Sequence, residues 1–553
     1  MTGLEFERPA LPRLIYYQDA HHFHAKRLDP PVSLSKLRWP IDELLGTGVD
    51  TLAFGLGYGD VYFHESKTGR VVGDQQETWD SFIDWRIMRL VESSRELGID
   101  QLRSVIDHGK ADGLRVFPSL KLQSCDRPGS DRCGKLKWES ANEVCLLEKD
   151  IHHPRYEWCY DYAHPAVRQS KLDLLAEVME DYAADGIELD FMFVPKYFRS
   201  GEEECHSDLM NSFVSDVRRL ANEIGARQGR YIAVGARVFH QREANLKLGL
   251  DVETWLRDGS VDIVIGQMSE QLLDATSVNV KWLVDAAGSH AGIYVRPPRR
   301  IYHEEVGMPT GEMFRAFGQA VSRQGGDGLY LGYLKWPFDR DEYQILREMA
   351  HPEVYERKNK RYVLQPRESG LVFEELLDYQ GDYPKVERRK QDEITNPPDR
   401  NLPVELLEKE TARAVFVISD DLESANRDGE LRGAVISIRF AELCVEDTIE
   451  IRLNDEVLPP EDAEITDQSE LWMPLKSRGS PVEASLQMPA CWFRYNLGTD
   501  ILQEGENVLE VEVMAFEKTA GFTRSINGVE IRTQYAEFER PQDFNVRRVA
   551  PSN

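Results

Sequence analysis

From residue 13 to about 335, short apolar runs alternate with longer stretches whose apolar residues recur at spacings of three and four. The runs at 13–18, 50–56, 114–122, 186–193, 231–238, 261–268, 292–296 and 328–334 predict buried strands. The stretches at 79–97, 166–184, 205–224, 275–288 and 311–324 predict amphipathic helices. Strand and helix alternating eight times is the pattern of a (β/α)8 barrel, or TIM barrel. A doubly wound dinucleotide fold would place GxGxxG after its first strand, and none stands there.

The pattern changes twice further on. Residues 356–410 are rich in Lys, Arg, Glu, Asp and Pro, with an apolar piece at 361–375, and predict a connector. Beyond 411, period-two runs at 413–418, 433–440, 447–453, 507–514 and 528–533 predict a C-terminal antiparallel β-sandwich. The expected organisation is a barrel over 1–355, a connector over 356–410 and a sandwich over 411–553.

One run departs from its apolar neighbours. Asp185-Gly-Ile-Glu-Leu-Asp-Phe191 carries Glu188 and Asp190 two residues apart, on one face of the fourth strand. A buried strand does not carry unpaired acids cheaply. Either the two are paired structurally, or the strand opens into a polar site. Barrel enzymes place their chemistry at the C-terminal ends of the strands. Those ends supply Asp19, His21 and His22 after strand 1, Tyr58 after strand 2, Ser119, Lys121 and Gln123 on strand 3, and Arg237 and His240 on strand 5. Gln267, Ser269 and Glu270 follow strand 6, Arg296 ends strand 7, and Tyr330, Tyr333 and Trp336 attend strand 8.

Two carboxylates among hydrogen-bonding and aromatic groups suit glycoside cleavage, in which one acid protonates the leaving oxygen and the other attacks or activates water. Asp190 is the candidate nucleophile or base, against a structural ion pair with Arg237 or Lys121. Glu188, one pleat deeper, is its expected support. Glu270 is the candidate acid, against a charge at the start of the next helix. Asp19, His21, His22, Tyr58, Lys121, Arg237, His240, Arg296, Tyr333 and Trp336 are the candidate substrate-binding residues, Tyr333 and Trp336 through their ring faces.

His22-Phe-His24 matches the first metal ligands of some barrel hydrolases, but strand 6 carries no His and Asp327 precedes strand 8, so no metal and no cofactor are expected. Seven cysteines without a CxxC pair predict free thiols, with a local bridge or metal site at Cys125, Cys133 and Cys145 as the alternative. The net charge of −29, without a basic stripe, argues against nucleic acid. No apolar run reaches the roughly 20 residues of a membrane span. The first residues lack a leader pattern, so a cytoplasmic protein, or a secreted one with its signal removed, is expected. Self-association into a homo-oligomer is left open.

Tyr160-Asp-Tyr-Ala-His-Pro-Ala-Val-Arg168, the strand-4 motif Asp185–Met192 and the run from Gly249 to Ile263 together resemble a group of bacterial glycoside-hydrolase-like barrel proteins. Strand 4 is also similar to that of several retaining glycosidase clans, which implies Asp190 as nucleophile. It resembles the chitinase DxxDxDxE element too, but Met192 stands at the acid position, so that mechanism does not carry over. The resemblance implies a glycoside hydrolase acting on a poly- or oligosaccharide. Lys121, Arg237 and Arg296 hint at an anionic sugar. The rivals are a noncatalytic glycan-binding barrel and a Schiff-base lyase or aldolase through Lys121.

Overall fold

The computed structural model describes residues 8–74, 76–79, 81–148, 154–268, 273–298, 301, 308–364, 402–467 and 490–536. Each of the eight predicted runs forms a strand: β1 (Leu14–Gln18), β2 (Thr51–Gly55), β3 (Arg115–Lys121), β4 (Gly186–Asp190), β5 (Ala233–Phe239), β6 (Ile263–Gln267), β7 (Gly292–Arg296) and β8 (Gly328–Gly332). All are parallel, in sequence order, and β8 closes on β1 with Leu14 opposite Leu329. Helices cover the outside, so both faces of the strands are buried and the runs read as continuously apolar. Inside the barrel, Ile15, Ala53, Phe117, Ala233, Ile263, Ile265 and Tyr294 fill the layers below the candidate site.

The helices begin and end where local chemistry demands. Helix α1 (Ala20–Arg27) is capped by the Asp19 carboxylate, which accepts from the His21 amide. Helix α2 (Phe82–Glu96) is capped by Ser81. Helix α3 (Pro165–Asp181) starts on proline, whose missing N–H costs nothing there. Helix α4 (Ser207–Gln228) stops at Gly229, whose φ of +70° suits a residue without a Cβ. The predicted helix at 275–288 is instead a 3-10 turn, Ala275–Ser277, followed by α5 (Lys281–Ala287). Helix α6 (Gly311–Arg323) follows β7, and α7 (Arg340–Glu348) follows β8.

The C-terminal part is a sandwich of antiparallel sheets. Its strands are β9 (Lys360–Leu364), β10 (Val404–Leu406), β11 (Thr411–Ile418), β12 (Leu431–Ala441), β13 (Thr448–Leu453), β14 (Glu456–Leu458), β15 (Glu464–Asp467), β16 (Ala490–Leu497), β17 (Gly505–Ala515) and β18 (Arg524–Tyr535). One sheet runs β9-β18-β12-β16-β15 with β10 also on β18, and the other β11-β17-β13-β14. Alternation decides which side faces the core: Ala412, Ala414, Phe416 and Ile418 of β11 are buried between more exposed neighbours.

The stretch 356–410 contributes two of these strands, β9 and β10, and so does more than connect. Strand β9 packs on α6 and pairs with β18, which ties the barrel's helical shell to the sandwich. At that seam Lys360 and Asp420, both fully buried, form an ion pair at 3.0 Å, and Thr533 Oγ1 donates to Asp420 at 2.8 Å. Arg323 of α6 also pairs with Glu504 at the start of the loop-to-β17 turn.

Candidate active site

Strand parity places residues 119 and 121 of β3, 188 and 190 of β4, and 237 of β5 on the inner face of the barrel. Register sets Ser119 beside Glu188, and Lys121, Asp190 and Arg237 in one row. The barrel interior therefore turns from apolar to polar as the strands approach their C-terminal ends.

Arg237 is the centre of this polar layer. Its guanidinium grips both Asp190 oxygens, through Nη2 to Oδ2 and through Nε to Oδ1 at 3.2 Å, and lies 3.7 Å from Glu188 Oε1. The Met192 amide adds a 2.8 Å bond to Asp190 Oδ1. Glu188 Oε1 accepts from Ser119 at 2.8 Å and from Tyr330 at 3.0 Å. The guanidinium also sits 4.6 Å from the Tyr17 ring, which stacks on Tyr330. Burial raises the Glu188 carboxyl, and the Asp190 charge adds to it, against the pull of Arg237, Ser119 and Tyr330. Asp190 itself is 0 % exposed. The geometry thus contains the Asp190–Arg237 ion pair that stood as the structural rival to a reacting role.

Above this layer lies a second network. Asp19 is 3.3 Å from Lys121 Nζ, and the Tyr333 hydroxyl donates to Asp19 at 2.9 Å. Burial works to raise the Asp19 carboxyl, but the Lys121 ammonium above all, with the His22 imidazole and the Tyr333 hydroxyl, holds it well below the usual range. The Asp19–Ala20 turn crosses over β2 so closely that a Cβ on Gly55 would lie 3.1 Å from the Ala20 amide nitrogen. Tyr333 holds a φ of +57°, a conformation costing an aromatic residue about 1–3 kcal/mol. That backbone turns its hydroxyl onto Asp19, and its ring meets His22 edge-on at 5.0 Å. Lys121 also lies 4.4 Å from the Phe193 ring.

From Asp19 the rim continues as a string of contacts. His21 stacks on Tyr58 with ring centroids 3.7 Å apart and planes at 7°. Burial, helped by the Lys121, His22 and Arg132 charges, drives the His21 imidazole down to about 2 against the pull of Asp19, so it is neutral. Arg132 lies 4.0 Å over the Tyr58 ring and 3.4 Å from Asp84. Asp131 hydrogen-bonds Asp84, and burial together with the Asp84 charge raises the Asp131 carboxyl to about 6. The unfolded chain releases that proton near pH 3.9, so folding retains it between about pH 4 and 6, and stability falls as pH rises through that window. Asp131→Asn is expected to flatten this part of a plot of thermal midpoint against pH. An unchanged slope contradicts the pairing.

The remaining predicted residues are spread around the mouth. Arg296 Nη1 donates to Gln267 Oε1 at 2.6 Å and sits 5.4 Å from the Tyr333 ring. His240 is buried, with Nδ1 3.3 Å from the Gln267 carbonyl. Trp336 is 39 % exposed, but its Nε1 donates to Glu43 at 3.2 Å and Arg27 stacks 4.9 Å from its ring. Glu270, with Ser269, lies outside the described residues. Glu43, Asp84, Asp131, Arg132, Tyr17 and Phe193 join the site without having been singled out from sequence; most sit on loops or helix starts, where no periodicity marks them. Asp60, near the end of strand 2, instead forms a buried pair with Lys171 at 2.8 Å. None of the seven cysteines, all among the described residues, is in a disulfide. Among the described residues no three His, Cys, Asp or Glu side chains are grouped to hold a metal ion, and no helix is long and apolar enough to cross a membrane.

No protein-family model matches the sequence, and no curated protein matches it significantly. Solved structures that resemble it include a cycloisomaltooligosaccharide glucanotransferase from Paenibacillus sp., at 9 % identity over 94 % of this chain and 57 % of that one, with a TM-score of 0.35. An α-L-fucosidase isoenzyme 2 from Paenibacillus thiaminolyticus matches at 13 % identity over 62 % and 49 %, with a TM-score of 0.37. A glycoside hydrolase family 18 N-acetylglucosaminidase from Paenibacillus barengoltzii matches at 12 % identity over 61 % and 98 %, with a TM-score of 0.33. The chain spans about half the length of the first two. At these identities and TM-scores the likenesses carry no argument about activity.

Proposed function

We propose that the protein is a glycoside hydrolase acting on a poly- or oligosaccharide at the C-terminal mouth of the barrel. The observation that carries this reading is the stack of two polar layers there, Glu188–Asp190–Arg237 below and Asp19–Lys121–Tyr333 above. In this reading Asp190 is the reacting carboxylate, oriented by Arg237, and Glu188 braces Arg237 from beneath. Asp19, His21, His22, Lys121, Tyr58 and Tyr333 hold the sugar, with neutral His21 serving as a hydrogen-bonding group, not as a proton donor. Glu270, on the loop after β6, is the proposed acid. Lys121 and Arg237 are each matched to a carboxylate, so an acidic substituent would fall to Arg296, whose side-chain bond among the described residues is to a neutral amide.

One observation favours a second reading. Asp190 has no exposed surface and both its oxygens are engaged, which suits a noncatalytic glycan-binding barrel in which the pair is structural. Schiff-base chemistry is less well served, because Lys121 Nζ is already engaged by the Asp19 carboxylate at 3.3 Å. Release of reducing ends from a panel of neutral and anionic glycans tests the proposal. Cleavage of at least one is expected. Binding without cleavage across the panel favours the second reading.

A further inference from the structure

Helix α2 starts at the same face of the barrel as the candidate site, because it follows the long loop leaving the C-terminal end of β2. Its buried stripe runs through Asp84, Ile87, Leu90, Val91 and Ser94, at helical spacing. Phe82 and Trp85 lie off that stripe. They are 73 % and 42 % exposed, and their rings stack with centroids 6.0 Å apart and planes at 27°. Polar residues are the expectation for a solvated first turn. Phe82 leaves most of its ring in solvent and Trp85 a large part of its own, so packing within the fold accounts for little of the outer face of this stacked pair.

Its position is what gives it meaning. Asp84, in the same helical turn, is 4 % exposed and holds Arg132, which lies over Tyr58, which in turn stacks on His21 beside Asp19. The pair therefore sits on the helix turn whose buried acid ends the string of contacts leading from the mouth. Flat apolar rings on a polar rim match the C–H faces of a pyranose, while the charged and hydroxylated groups between them match its hydroxyls.

We propose that Phe82 and Trp85 form a remote sugar-binding subsite that grips a glycan chain several residues away from the Asp19–Asp190 centre. This rests on the reading of the mouth as a carbohydrate site, and it makes the ligand an extended chain, not a mono- or disaccharide.

The test is affinity electrophoresis of the full chain through gels containing a soluble β-glucan, a xylan or a homogalacturonan, with reducing-end release scored separately. Both side chains are exposed, so Phe82→Ala/Trp85→Ala should fold normally, and Phe82→Tyr/Trp85→Phe supplies the conservative control. The wild type should be retarded by at least one polysaccharide. The alanine pair should bind it about tenfold more weakly, with the conservative pair restoring retardation. Equal retardation of wild type and alanine pair overturns the subsite, even if the glycan is cleaved. Retardation of no protein by any of the three overturns it as well. Platform-dependent retardation without cleavage sustains the subsite and sinks the hydrolase instead.

Discussion

Arg237→Leu is expected to cost about 3–5 kcal/mol of stability, the typical loss when one partner of a buried ion pair is removed. The guanidinium is 4 % exposed and serves two buried carboxylates, Asp190 and Glu188, so its loss strands two charges in the barrel interior. Urea denaturation would measure the loss. A drop below about 1 kcal/mol would show that the interior is wetter than the packing around Tyr17 and Tyr330 implies. The variant should also respond to pH with a definite sign. Burial already raises the Glu188 carboxyl against the pull of Arg237, so without Arg237 it is raised further, and stability should recover as pH falls and it takes up its proton. Adding Glu188→Gln and Asp190→Asn should restore part of the loss at neutral pH, since neutral amides cost less to bury than carboxylates.

Asp190→Asn carries the second large effect. If Asp190 reacts with the sugar, kcat on the best glycan should fall by about 10²–10⁴-fold, the range for loss of a positioned catalytic group. The amide oxygen can still accept from Arg237, so the side chain keeps its place although the charge is gone. Some stability will be lost with the charge, and the rate must be taken well below the variant's own melting midpoint, with near-UV circular dichroism confirming native packing. A folded variant with full activity would remove Asp190 from the reaction and leave it as a structural acid.

The strands of the barrel are legible because each is buried on both sides and reads as an unbroken apolar run, and the sandwich strands because theirs alternate. The layer holding Glu188 and Asp190 is legible for the same geometric reason: residues two apart on a strand share a face. What sequence does not disclose is who meets them. Register alone brings Lys121, Asp190 and Arg237 into one row, and register depends on closure of the whole sheet. The string from Asp131 through Asp84 and Arg132 to Tyr58 joins a loop, a helix start and a second loop, so no spacing announces it. Strand β9 escapes notice because it begins Lys360-Arg361, and Lys360 is buried only by virtue of Asp420 sixty residues on. Strand β15, Glu-Ile-Thr-Asp, is a strand only because β16 pairs with it.

That seam has a consequence for how the chain is made. Strand β9 packs on the last long helix of the barrel, yet its pairing partner β18 matches Leu364 to Val529, so the ribosome must add some 165 residues before the partner exists. At ordinary elongation speeds of about 5–20 residues per second that is a wait of roughly 8–33 s. Through that interval the barrel is complete but one strand edge stands open, and for the first sixty residues beyond it Lys360 also lacks its carboxylate partner, Asp420. Among the described strands, the last to emerge is thus the one that seals β9, and premature termination between β9 and β18 should leave a sticky, protease-sensitive product in place of a smaller working protein.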